Sequence, residues 1–407
     1  MKQRIFRSSA ALWVNSFTIG LMYFSISSLS TLIGKDLGFS DAQLSILFSL
    51  PTFAYIVTGW LPGSVVDRLG KRKSIVLVFI LLWIPAFLKL MTANYAVFVV
   101  LTVIQSAGIL LSAPSNSKTV KELDIPNFAK VLGLVNTGMT IGTWCTHTFA
   151  LKLAGSTGSW KGATLIFLAV TLLLGTIALF LLLTLRETKQ EKSSEMPESQ
   201  TEPGKKQGLF SGTKEQNLVL IGIAVLYFGT LATSFALNNW LPKLLTYGGF
   251  SASDSALSAS MFALGSLLST VAIPFLFPNS LQKAAFSIPS SVFTIGLLVL
   301  LLFLKAPAAA LAAALLLGVL SGFLQIMVQY QIVENCSSKL AGQYSSFVFF
   351  VGNTGATISI LGVGMIPETM FSGKILFISL FSLVSVAGGL ILLSQANKLH
   401  QQKKNTV

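Results

Sequence analysis

The sequence predicts an all-α protein of twelve membrane-spanning helices in two parallel six-helix repeats, and three observations carry that expectation. The first is hydropathy: 53% of the 407 residues are hydrophobic, 30 are Phe and only 10% are charged, far more apolar than a soluble domain of this length needs. The second is the recurrence of apolar runs of roughly 18–25 residues, the length a helix needs to cross a hydrocarbon core of about 30 Å. The third is internal repetition, because two short motifs recur at nearly equal offsets.

Twelve runs qualify as spans: 9–32, 43–65, 74–91, 95–117, 130–151, 162–185, 216–241, 255–277, 284–304, 307–331, 341–365 and 375–396. The first follows MKQRIFR, but it is too long for a signal peptide and ends in no A-x-A site, so it reads as a retained helix. Span 2 is preceded by GFSDAQ from Gly38 and span 8 by GFSASD from Gly249, an offset of 211. Each places a Ser three residues before a side chain that can complete a capping box, Ser40 with Gln43 and Ser251 with Asp254. The tripeptide NTG begins at Asn136 in span 5 and at Asn353 in span 11, an offset of 217. Six spans per unit is an even number, so the copies run parallel about an axis along the membrane normal. The expected organisation is a six-helix domain at 1–185, a second at 216–407, and a linker at 186–215 whose Glu, Lys, Ser, Gln and Pro cannot bury enough surface to fold.

The net charge of +14 is explained by its placement. With both termini on one side, 21 of the 28 Lys and Arg fall on that side and 7 on the other. This positive-inside bias places both termini in the cytoplasm and the chain in the cytoplasmic membrane, and reads the basic charge as topology and anionic-lipid contact, with no nucleic acid as partner. The two cysteines, Cys145 and Cys336, lie at different expected depths, so no disulfide is expected. No phosphate loop, catalytic dyad or His/Cys metal spacing occurs in the sequence, which argues against an ATP-driven pump or a membrane enzyme and for no cofactor and no metal.

One loop concentrates the scarce charge. Residues 63–73, GSVVDRLGKRK, carry one acid and four bases between spans 2 and 3. Gly63, Asp67, Arg68, Gly70, Lys71 and Arg72 resemble the signature loop of the major facilitator superfamily, Gly-x-x-x-Asp-Arg-x-Gly-Arg/Lys-Arg/Lys. Gly63 is expected to let helices pack closely and Gly70 to supply a turn with positive φ. The resemblance implies that Asp67 latches the outward-facing state against the start of span 11, near Ala341 to Tyr344, and that spans 1, 4, 7 and 10 surround a central cavity with 5 and 11 behind them. The loop between spans 8 and 9, PNSLQK, lacks the acid and the glycines, so the latch is one-sided. The segments 113–138 and 238–251 are similar to the branch that includes cyanate and nitroimidazole-type transporters.

No Asp, Glu, Lys or Arg lies well inside any expected span; Lys89, Lys118, Lys152, Lys305 and Glu334 fall near the ends, where snorkelling suffices. His147 is the only interior group able to titrate near neutral pH; it reads as a neutral, hydrogen-bonded side chain, with a proton relay as the alternative. The remaining interior polarity is uncharged. Tyr23, Gln105, Trp144, Tyr227 and Asn353, supplemented by Tyr55, Asn136 and Gln325, are the candidate substrate contacts, combining flat apolar faces with neutral donors and acceptors. Gly133, Gly138 and Gly142 in span 5, with Gly352 and Gly355 in span 11, are expected at the moving interface. These readings converge on a monomeric secondary transporter that carries a small neutral or monoanionic organic solute by alternating access, with a proton or other ion as a possible coupling partner. A hydrophobic-compound exporter of the same superfamily and a non-transporting solute sensor are the alternatives; short tails and linker leave little room for a sensor's signalling domain.

Overall fold

A computed structural model describes residues 2–59, 61–122, 128–184, 213–276, 280–335 and 341–405. The expected linker falls almost wholly outside these residues, as does Cys336. Among the described residues every regular element is helical: α1 (Lys2–Tyr23), α2 (Ser25–Ser28), α3 (Ser30–Leu37), α4 (Asp41–Thr58), α5 (Leu61–Lys89), α6 (Tyr95–Glu122) and α7 (Phe128–Thr157), followed by α8 (Trp160–Thr184), α9 (Lys214–Tyr247), α10 (Ala252–Leu276), α11 (Ser280–Leu301), α12 (Pro307–Asn335), α13 (Ala341–Met365) and α14 (Phe371–Asn405).

Seven of these, α6, α8, α9, α10, α12, α13 and α14, are long and apolar enough by themselves to cross a membrane; α4 with the first part of α5, bent by 78°, makes an eighth candidate. Ala285–Leu301 of α11 is a shorter apolar stretch. Span 1 breaks at Phe24 and again at Leu29. At the break Ser25 Oγ donates to the Met22 carbonyl at 2.8 Å and Ser27 Oγ to the Phe24 carbonyl at 3.0 Å, bonds of a kind that can bend helices. Span 3 begins inside α5, where Gly70 at φ 75° and ψ 168° interrupts an otherwise continuous helix, the positive-φ turn expected of that glycine. The expected caps form. Ser40 and Gln43 exchange both bonds of a capping box, and Asp254 N–H donates to Ser251 Oγ at 3.1 Å ahead of α10.

The helix packing repeats six spans on. In the first half α1 rests on α7 and α8, and α4 on α6; in the second, α9 rests on α13 and α14, and α10 on α12. Gly142 of α7 lies against the α1 backbone at Phe17, and Gly355 of α13 against the α9 backbone at Phe228, so close that a Cβ at either would collide with main chain. This corrects one expectation. Spans 5 and 11 do face the other half, through α10 and α4, but Gly138, Gly142 and Gly355 admit backbone of their own half and Gly352 the Tyr227 ring, so these glycines fasten helices within a half. A Cβ on Gly133 or Gly63 would meet nothing, so Gly63 mediates no close packing. Large apolar side chains such as Phe180, Phe293 and Leu173 are two-thirds exposed on the outer helices, as a lipid-facing surface requires.

Candidate functional site: a charged lock above a cavity between the halves

The two halves meet through α4 with α13 and α7 with α10, with smaller contacts from α2 to α9. Several side-chain bonds cross this boundary toward one end of the bundle, the end opposite Gly70. Thr52 Oγ1 of α4 accepts from Thr357 of α13 at 2.8 Å, and Thr148 of α7 meets Ser260 of α10 at 2.5 Å. Phe48 packs edge-on against Trp240 with ring centroids 5.3 Å apart, an arrangement that adds about 0.5–1.5 kcal/mol beyond its buried area. Gly364 of α13 seats directly on Ser45 and the Asp41 carbonyl of α4.

At the tip of this contact stands a buried ion cluster. Asp41, 5% exposed at the first position of α4, accepts from three C-terminal side chains. Lys243 Nζ of α9 bonds its Oδ1, Lys374 Nζ of α14 its Oδ2 at 3.1 Å, and Tyr247 Oη reaches both oxygens at 2.9 and 2.8 Å. Lys374, fully buried, also donates to the Val363 carbonyl at 2.7 Å and lies over the Trp240 ring at 5.3 Å. Lys243 is 3.9 Å from the largely exposed Glu368. One carboxylate from the first half therefore ties together two ammoniums and a phenol from the second.

These groups lie outside the expected spans, so the reading that no charge sits well inside a span does not cover them, and their burial was not anticipated. Asp41, Lys243 and Lys374 each lie one or two residues beyond an apolar run, and convergence of the halves encloses them. Lys89 is also 3% exposed rather than snorkelling: its Nζ donates to Gln105 Oε1 at 2.6 Å and sits 5.4 Å from the Phe98 ring.

Below the lock lies a cavity of about 20 Å³, room for roughly one water in this closed arrangement. Its walls include Tyr23, Ser27, Phe48, Thr102 and Gln105 from the first half and Asn239 from the second. Two of the expected substrate contacts, Tyr23 and Gln105, thus come together here. Trp144, one turn before Thr148 on α7, has its indole N–H buried without a protein acceptor. Tyr55 and Tyr227 converge from opposite halves on Phe349, with ring centroids 6.4 and 5.6 Å from it. The other candidates are placed elsewhere: Gln325 bonds Ser234 and Ser321 inside the second half, Asn353 bonds the Phe349 carbonyl of its own helix, and Asn136 is exposed. His147 is buried and shares a 2.9 Å bond with Ser28.

At the Gly70 end the signature loop is held within its own half. Lys118 Nζ bonds the Asp67 carboxylate at 3.2 Å and the Val66 and Asp67 carbonyls. The Asp67 side chain is 77% exposed and has no partner from α13 among the described residues. Arg68 is exposed, and the side chains of Lys71 and Arg72 fall outside those described.

Duplicated six-helix halves, joined at one end beside a small cavity and carrying a glycine-turn basic loop at the other, define a polytopic all-helical membrane fold of two repeats. The profile of the Major Facilitator Superfamily matches residues 12–360, and the chain belongs to that family. It is 23% identical over 284 residues to the 4-hydroxybenzoate transporter PcaK of Pseudomonas aeruginosa, and 25% identical over 277 residues to the multidrug resistance protein MdtL of a Shewanella species. These alignments cover 63% and 66% of this chain and 62% and 66% of the relatives' own length. Its fold matches a crystal structure of a D-xylose-proton symporter with a TM-score of 0.75 at 14% identity, over 95% of this chain and 97% of that one.

Proposed function

We propose that the chain is a secondary transporter that moves a small neutral or monoanionic organic solute across the cytoplasmic membrane by rocking its two halves about the central cavity. The observation that carries this reading is the lock and cavity together: cross-half contacts seal one end above a space of mixed polar and apolar walls, lined by the first half and by Asn239 of the second. With the basic loop on the cytoplasmic side, as the charge bias favours, the sealed end faces outward and the described conformation is closed to the exterior. Asp67, paired with Lys118, is then unlatched, as expected when the outer end is shut. The neutral polar groups of the cavity wall, from Tyr23, Ser27, Thr102, Gln105 and Asn239, suit a solute with few charges. That one relative carries 4-hydroxybenzoate, a small acid, supports the monoanionic end of the range; the MdtL relative keeps hydrophobic-compound export as the second reading.

The test is thermal stabilisation of the purified chain against neutral metabolites, small monocarboxylates, amino acids and bulky hydrophobic compounds, followed by uptake of each binder into proteoliposomes. A solute at 100 times its dissociation constant stabilises by roughly 2.7 kcal/mol, a visible shift in melting temperature. Uptake of a small solute is expected. Binding without uptake under any gradient would replace the transporter with a sensor, and binders confined to bulky hydrophobic compounds would favour the exporter.

A further inference from the structure

We infer that Lys89 is the counter-charge of a carboxylate subsite beside the central cavity, so that the solute is a monocarboxylate on an apolar body. The inference rests on the transporter reading and narrows its substrate class.

Lys89 closes α5, yet its side chain runs inward along α6. It is 3% exposed and reaches Gln105, ten residues from the start of that helix, which is about 15 Å deep at 1.5 Å per residue. An ammonium can donate three hydrogen bonds. Among the described residues this one has a single acceptor, the Gln105 carbonyl, with the Phe98 ring at 5.4 Å and no carboxylate. The contrast lies within the same molecule: the other two lysines buried among the described residues, Lys243 and Lys374, both hold Asp41. Burying an ammonium without an anion is costly, and buried charges are paired as a rule. The chain supplies the cation here and leaves the anion to come from elsewhere.

The position points to the cavity as its source. Gln105 forms part of the cavity wall with Tyr23, Ser27, Thr102 and Asn239. Its carbonyl is a neutral stand-in for an anionic oxygen, and a carboxylate entering from the cavity would make a charge-assisted bond roughly twice as strong. One ammonium matches one negative charge. Leu47, Phe48 and Ile109 supply the apolar remainder of the wall, so the rest of the solute is apolar or aromatic. With only about 20 Å³ free, the solute enters when the halves part.

The experiment measures binding of benzoate, its neutral isostere benzamide, and chloride to the full chain in nanodiscs, for wild type, Lys89→Gln, Lys89→Arg and Gln105→Glu. Wild type should bind benzoate at least about ten-fold more tightly than benzamide, and Lys89→Gln should erase that preference while leaving benzamide within about two-fold, the pattern of a lost charge partner. Lys89→Arg should keep part of the preference. Gln105→Glu provides an internal carboxylate for Lys89; it should raise the melting temperature and abolish benzoate binding, which keeps the idea testable even where Lys89→Gln fails to fold. Equal affinity for benzoate and benzamide in wild type, an undiminished preference in Lys89→Gln, undiminished benzoate binding in Gln105→Glu, or chloride binding as well as benzoate would each overturn the subsite. Uptake of labelled benzoate into proteoliposomes is scored separately: Lys89-dependent binding without uptake would defeat the transporter reading and leave the subsite standing.

Discussion

Replacing Asp41 by Asn removes one charge from the lock and leaves Lys243 and Lys374 without the carboxylate they share. Shape is nearly conserved, so the change is electrostatic. The side chains of Asp41, Lys243 and Lys374 are only 6%, 10% and 0% exposed, so water screens little of the loss, and removing one partner of a buried ion pair typically costs about 3–5 kcal/mol. That cost falls on the sealed state alone, because parting the halves hydrates all three groups. At about 1.4 kcal/mol per decade, the balance between sealed and open should move by roughly two to three and a half orders of magnitude. The assay is the reaction of a membrane-impermeant maleimide with a single cysteine at Thr357, which faces Thr52 across the contact, in a background with Cys145 and Cys336 replaced by Ser. Labelling should be slow with Asp41 present and accelerate strongly in Asp41→Asn. Adding Lys374→Met, which removes the stranded charge, should recover part of the protection. Equal labelling rates with and without Asp41 would refute the assignment of the cluster as a lock.

Three further outcomes follow from the same contacts. Gly364→Leu drives a side chain into Ser45 and the Asp41 carbonyl; it should hold the outer end open, giving fast Thr357→Cys labelling and lost uptake, whereas normal uptake would show that α13 does not close there. Gly142→Leu, aimed at the α1 backbone within one half, should lower stability by at least about 1–3 kcal/mol, read as a melting shift without preferential opening. Asp67→Asn frees Lys118 from its carboxylate partner and removes the acid available for a latch; it should slow turnover while leaving solute affinity intact, and loss of binding with unchanged turnover would sink that role.

Much of the fold was legible because its signals are local. The Gly70 turn, the Ser40 and Ser251 caps, and the spacing of GFS and NTG depend on neighbours in sequence, and the packing of α1 on α7 and α9 on α13 follows the duplication those motifs announced. The lock was not legible by the same means. Hydropathy weighs each helix alone, and Asp41, Lys243 and Lys374 sit just past the apolar runs, where a charge normally faces water; only the convergence of separate helices buries them. A signal was nevertheless present. Lys89, Lys243 and Lys374 are three of the seven basic residues on the side where positive charge is disfavoured, and all three are buried. The segment 238–251, noted for its family resemblance, contains half of the lock. Among neutral candidates, pattern could not separate a cavity wall such as Gln105 from Asn353, which bonds its own backbone, because both are polar residues in the middle of a span.

The division of charge in the lock has a consequence for solutes that enter the opened cleft. When the halves part, Asp41 leaves with one of them, and the other keeps Lys243 and Lys374 with Glu368. The mouth is then neutral in sum but polarised, with an excess positive charge on one wall and Asp41 on the other. An anionic solute is drawn toward the lysine wall and turned to face it, an orienting effect that weakens as ionic strength rises and the field is screened, while a neutral solute enters alike in either buffer.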